Sequence, residues 1–165
     1  TYNHESPRRG ENFVTRKISR TVAEIANGQT DCLAIGNMDA ERDWGCAEEF
    51  VEAMWQMLQH SIPGDYVLAT GVLHSVRDFV QSAFTRVGIP IYLTGSGGNE
   101  VGRSELEDRV LVRVDPRFFR PVESAKLVGS AAKASLAFGW EPRVIAPEIA
   151  QRMTEEDLER LRSNP

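Results

Sequence analysis

At 165 residues, 41% of them hydrophobic and 26% charged, the chain has the length and composition of one globular domain with its own core. Its formal charge of −5, from 19 basic and 24 acidic side chains, excludes the dominant basic patch of a nucleic-acid-binding protein. Cys32 and Cys46 are too few for a disulfide framework and lack metal-ligand spacing, and no apolar run reaches membrane-spanning length. The expectation is a soluble, cytoplasmic protein with reduced thiols, no metal, and neither nucleic acid nor membrane as partner.

Thr1-Tyr2-Asn3-His4 reads as the tail of a strand, and with no initiator Met it suggests a fragment. A polar turn with Pro7, Arg8 and Arg9 follows, and then a helix with Phe13, Val14, Ile18, Val22 and Ile25 on one stripe. Gly28 is a stop signal, and Cys32 to Gly36 has strand character. Residues 37–45 read as a polar loop. A second helix is expected to bury Phe50, Val51, Met54, Trp55 and Leu58.

After the turn Pro63-Gly64-Asp65, Tyr66 to Thr70 predicts a buried strand. Ser75 and Asp78 have capping-box spacing at the start of a third helix, which ends at Gly88. Ile91 to Leu93 is a short strand, Thr94 to Glu105 a mobile Gly-rich loop, and Val110 to Val114 another strand. Asp115 to Glu123 is a loop; helices are expected over 130–138 and from Pro147 to about Leu161. The alternation predicts an α/β fold with at least part of the sheet parallel.

Self-contained chemistry is sparse. No Gly-x-Gly-x-x-Gly turn follows a strand, and no tyrosine has a lysine four residues on. His4, His60 and His74 are scattered, with no nucleophile–base spacing around them. A strand end that delivers Asn3, His4 and two arginines to a helix start suits an anion, because guanidinium forks and free helical N–H groups both favour phosphate. The competing reading is a solvated basic turn.

The block His4-Glu5-Ser6-Pro7-Arg8-Arg9-Gly10 with Asn12-Phe13-Val14-Thr15-Arg16-Lys17-Ile18 resembles a segment of GDP-mannose 4,6-dehydratases, members of the extended short-chain dehydrogenase/reductase superfamily. Co-linear blocks follow: Gly36-Asn37 with Arg42-Asp43-Trp44-Gly45, His74-Ser75-Val76-Arg77-Asp78-Phe79, Asn99 to Arg103, Phe119-Arg120-Pro121 with Glu123, and Gly139-Trp140 with Pro142. Cys46, Ser130 and Phe138 stand where the family usually has His, Asp and Leu.

The resemblance implies the C-terminal, substrate-binding part of such a protein: one region spanning residues 1–165, with the last strands of a Rossmann-type sheet and a small α/β lobe. The NADP-binding Rossmann half and every catalytic group would lie outside this sequence. The resemblance places His4 and Arg9 at NADP, with Arg9 near the 2′-phosphate of a neighbouring subunit's cofactor. It places Asn3, Val14, Lys17, Gly36, Arg42, Arg120 and Glu123 around GDP-mannose, with Gly36 letting the guanine approach.

The implied reaction converts GDP-mannose to GDP-4-dehydro-6-deoxy-mannose and water, in a homo-oligomer that is a dimer or tetramer. The fragment alone is expected to be inactive, with strand edges unpaired and apolar faces open. The alternatives are another nucleotide-sugar dehydratase or epimerase, and a non-catalytic nucleotide-sugar-binding or assembly module. For each arginine the competing role is a surface ion pair, and for Arg103 neither role is favoured.

Overall fold

The computed structural model describes residues 1–120 and 126–163. The first strand, β1 (Asn3–Glu5), leads through the polar turn into α1 (Val14–Ala26). Ile18, Val22 and Ile25 are buried at helical spacing. Phe13 and Val14, expected on the same stripe, are 43% and 37% exposed: Val14 borders an open cleft, and Phe13, the N-cap residue, lies under the Arg9 guanidinium rather than in the core.

Next come β2 (Leu33–Ile35), β3 (Glu41–Arg42), β4 (Trp44–Cys46) and α2 (Ala47–Gln59). Beyond them lie β5 (His74–Ser75), α3 (Val76–Arg86), β6 (Ile91–Thr94), β7 (Val101–Ser104) and β8 (Val110–Val114). Helices α4 (Ala132–Phe138) and α5 (Ala146–Ser163) complete the order.

The main sheet has the order β2-β8-β7-β6, with β2 and β8 parallel and the other pairs antiparallel. Two small pairs accompany it, β1 with β4 (parallel) and β3 with β5 (antiparallel). The α/β class and its partly parallel sheet are as the alternation predicts. Leu33, Ile35, Leu111 and Val112 of the sheet share one core with Ile18 and Val22 of α1, Phe79 and Phe84 of α3, and Ile149 and Met153 of α5. A smaller core joins Phe50 and Ala53 of α2 to Leu68, Ala134 and Trp140.

Four stretches depart from the sequence reading. The supposed mobile loop over 94–105 holds a short 3-10 turn and β7, an interior strand of the sheet. Its pattern was hidden because the inward residues are small: a Cβ on Gly102 would lie 2.9 Å from Val112 Cβ, so only glycine fits between its neighbours. The polar stretch 37–45 contains β3, paired through the polar residues Glu41 and Arg42, and the first two residues of β4, whose Trp44 is buried in the core.

Tyr66 to Thr70 forms no strand ladder, although Leu68 and Ala69 are buried; Tyr2 N–H donates to the Leu68 carbonyl at 2.9 Å. On α2 the helical period is right but the burial is not: Val51, Met54, Trp55 and Leu58 are 62%, 41%, 62% and 83% exposed. The described partners of α2 cover its edge of Glu49, Phe50, Ala53 and Met57, where Phe50 meets Trp140 edge-on at 5.7 Å.

Candidate functional site

Because β2 and β8 run parallel side by side, the turns that leave their carboxyl ends emerge together, and Asp115 N–H donates to the Ile35 carbonyl at 2.8 Å. Such adjoining carboxyl ends are where α/β sheets receive ligands. The turn after β2 supplies Gly36 and Asn37, and the turn after β8 supplies Arg117, Phe118 and Arg120. Val14 and Lys17 enter from the first turn of α1, and Arg42 from β3.

These residues line a cleft of about 350 Å³, floored by the buried Trp44. Among the described residues lining it, four are cationic (Lys17, Arg42, Arg117 and Arg120) and none is acidic. That lining suits a diphosphate, which guanidinium and ammonium groups hold through charge-assisted hydrogen bonds. An equally large cavity between the β1 turn and α5 presents Glu5, Glu48, Glu155, Glu156 and Glu159 against one described cation, Arg152, and that excess of carboxylates would repel the same ligand.

The two turns touch because residue 36 has no side chain: a Cβ there would lie 2.3 Å from the Phe118 carbonyl oxygen. Glycine at 36 thus lets the Phe118 backbone approach closely. The Lys17 ammonium sits 3.5 Å from the centroid of the Phe118 ring. Burial lowers the Lys17 pKa, Asp115 acts against that shift, and Arg117 adds to it.

The opposite wall, residues 37–40, is pinned by Arg77 in the first turn of α3. Its guanidinium bonds Asp39 at 2.5 Å and the buried Glu100, and its N–H donates to the Met38 carbonyl at 2.9 Å.

Asp115 keeps Arg117 in place. Its Oδ1 accepts from Arg117 N–H at 2.9 Å and its Oδ2 from Nη2 at 2.6 Å, and these bonds hold the carboxyl down at about 2, against an ordinary value of 3.8. A depressed carboxyl contributes stability that is in place above pH 3.8 and lost as pH falls toward 2. Carbon-detected NMR should show Asp115 titrating near 2, with Arg117→Ala returning its midpoint toward 3.8. A midpoint unmoved by that substitution would refute the assignment of the shift to Arg117.

Asn3, His4 and Arg9 line a neighbouring cleft of about 540 Å³, and Arg42 borders both. His4 Nδ1 lies 2.9 Å from the Tyr2 carbonyl. A carbonyl only accepts, so Nδ1 carries the hydrogen and Nε2 is the ring's remaining polar atom. The Arg9 guanidinium lies 3.5 Å above the Phe13 ring, with Nε 3.2 Å from the Glu5 carboxylate. Glu5 is buried, and desolvation raises its pKa despite a 2.7 Å hydrogen bond from Thr15 and the charges of Arg9 and His4.

Of the residues singled out in the sequence, Val14, Lys17, Gly36, Arg42 and Arg120 therefore share one cleft, and Asn3, His4 and Arg9 share the next. Glu123 lies outside the described residues. Arg103 stands apart on β7, where Nη1 donates to the Asp108 carbonyl at 2.9 Å. Sequence reasoning passed over Arg117, Phe118 and Arg77. Asp115 placed two residues before Arg117 was the available signal, since a carboxylate there accepts from the backbone and folds the turn back.

The family model for GDP-mannose 4,6 dehydratase matches residues 1–153. The chain is 51% identical over 164 residues to the GDP-mannose 4,6 dehydratase of Homo sapiens, covering 99% of this chain and 44% of that protein. Against the GDP-mannose 4,6-dehydratase of Sinorhizobium fredii the identity is 50% over 161 residues, covering 98% of this chain and 46% of that protein. The chain thus spans under half the length of these relatives.

Among solved structures, RMD from Pseudomonas aeruginosa complexed with NADPH superposes with a TM-score of 0.74 at 19% identity, covering 96% of this chain and 46% of that one. The dTDP-glucose 4,6-dehydratase of Bacillus anthracis in complex with NAD superposes at 0.60 and 16% identity, covering 93% and 41%. At those identities the likeness is one of fold, which is that of the extended short-chain dehydrogenase/reductases. Sequence match along nearly the whole chain and shared fold agree: this chain belongs to the GDP-mannose 4,6-dehydratase family.

Proposed function

We propose that the whole protein is a GDP-mannose 4,6-dehydratase, and that this chain is the region that grips the nucleotide-sugar. The observation that carries the reading is the convergence of Lys17, Arg42, Arg117 and Arg120 on one cleft free of described carboxylates. Lys17 and the arginines neutralise the diphosphate, with Asn3 and Glu123 as hydrogen-bonding partners for sugar or ribose.

His4 and Arg9 hold NADP in the adjoining cleft, with Arg9 directed to the adenosine 2′-phosphate of a neighbouring subunit's cofactor in a dimer or tetramer. The donor set fits: a guanidinium suits a phosphate, and the cleft adjoins the first through Arg42. The cofactor, when bound, takes up and returns the hydride. Arg42, bordering both clefts, holds the sugar diphosphate beside it.

The catalytic groups and the cofactor-binding Rossmann half belong to further polypeptide of the same protein. In support, the chain covers 44% of its human relative, and the apolar face of α2 (Val51, Met54, Trp55, Leu58) stands exposed, as a surface that packs on another part would. The compartment we propose is the cytoplasm; among the described residues no helix is long and apolar enough to cross a membrane.

Full-length protein should convert GDP-mannose to a product lighter by one water. Lys17→Ala should lower kcat/KM by about 30-fold or more, since truncating one partner of a charged hydrogen-bonded pair costs about 2 kcal/mol upward. Turnover of a UDP- or dTDP-sugar but not of GDP-mannose would overturn the substrate. Turnover by the 165-residue chain alone would overturn the placement of the catalytic groups.

A further inference from the structure

We propose that Phe118 is the platform on which the nucleobase stacks, and that Lys17 covers its ring until a diphosphate draws the ammonium away. The inference rests on the cleft being a nucleotide-sugar site and adds a residue and an exchange to it. Phe118 is 48% exposed, although it is aromatic and borders the cleft. Its place is set by the backbone rather than by side-chain packing: its N–H donates to the Asp115 carbonyl at 2.9 Å, and its own carbonyl abuts Gly36.

What occupies the ring is a cation. Lys17 Nζ lies 3.5 Å from the centroid, and the Arg117 guanidinium 5.6 Å from it. An ammonium over an aromatic face is attracted by the ring quadrupole, yet burial disfavours the charge of Lys17 there. A diphosphate offers that ammonium a stronger partner, and its departure uncovers a face on which a base can stack.

The base, not the hexose, belongs at this end. Arg42 borders both clefts, so the sugar that must meet the cofactor lies on the Arg42 side; Phe118 and Arg117 border only the first cleft.

The test is calorimetric titration of the chain and its Lys17→Met, Phe118→Leu and Phe118→Ala variants with GDP and, separately, with inorganic pyrophosphate. Both Phe118 variants should bind GDP about tenfold or more weakly, as the loss of one base–aromatic stack implies, and bind pyrophosphate within about twofold of the parent. Lys17→Met should weaken both ligands. Unchanged GDP binding in Phe118→Ala, or equal loss of GDP and pyrophosphate in both Phe118 variants, overturns the proposal. No GDP binding by the unsubstituted chain removes the nucleotide-sugar reading itself, a separate failure.

Discussion

Asp43→Ala should destabilise the chain by about 3 kcal/mol or more in urea unfolding, because it strands several donors beneath a charge that was fully enclosed. The carboxylate is 0% exposed. Its Oδ1 accepts from Thr70 N–H at 2.8 Å and Thr70 Oγ1–H at 2.6 Å, and its Oδ2 from Gly71 N–H and Gly129 N–H, both at 3.0 Å. One side chain thus ties the β3–β4 turn to two segments remote in sequence.

A charge accepting this many hydrogen bonds contributes more than any one of them, and its removal leaves amide hydrogens with no acceptor. Asp43→Asn should also be costly, since an amide nitrogen would face N–H donors. Thr70→Val, which removes one donor to the carboxylate and the acceptor of a 3.2 Å bond from Val72 N–H, should cost about 1–2 kcal/mol. Arg42, the preceding residue, borders both clefts, so Asp43→Ala should weaken GDP binding as well. A loss of stability under about 1 kcal/mol would show that water or relaxation replaces the carboxylate, and the hub role would fall.

How far the sequence carries depends on how local the determining contacts are. The start of α3 was legible because its cap is written within four residues: Ser75 Oγ accepts from Asp78 N–H at 3.1 Å, and Asp78 returns the bond to Ser75 N–H at 2.9 Å. β7 was not, because a strand whose inward positions are Gly102 and Ser104 carries no apolar alternation; only its neighbours Leu93 and Val112 explain it.

The apolar stripe of α2 was read correctly as a stripe and wrongly as core, since period reports which residues share a face and not whether anything covers that face. In the cleft, Lys17, Arg42 and Arg120 come from α1, β3 and the turn beyond β8, so no spacing rule joins them. They were named through family resemblance alone. Phe118 was overlooked although it neighbours a matched block, because its exposure and its contact with Lys17 are properties of the folded chain.

Asp157→Ala should cost about 3–5 kcal/mol, the effect of leaving a buried arginine without its counter-charge. Arg16 on α1 and Asp157 on α5 are 7% and 3% exposed and are directly ion-paired. Ser19 Oγ–H donates to the other carboxylate oxygen at 2.7 Å, and Arg160 reaches to 3.8 Å. Removing the carboxylate therefore leaves a buried guanidinium without its counter-charge between two helices that pack apolar rows, Ile18 and Val22 with Ile149 and Met153, while the Ser19 hydroxyl keeps the Arg16 carbonyl at 3.2 Å.

A paired substitution separates the cost of a broken pair from the worth of the intact one. Arg16→Met with Asp157→Leu removes both charges and fills similar volume, and should lie within about 1–2 kcal/mol of the parent, or above it. If the double variant were as damaged as Asp157→Ala, the pair would be stabilising in its own right rather than a matched liability. Helix α1 would then owe its position to charge as much as to its apolar stripe. Because Lys17 adjoins Arg16, both variants should be titrated with pyrophosphate. Weakened binding in Asp157→Ala that recovers in the double variant would mean that the α1–α5 contact sets where the ammonium of the cleft stands.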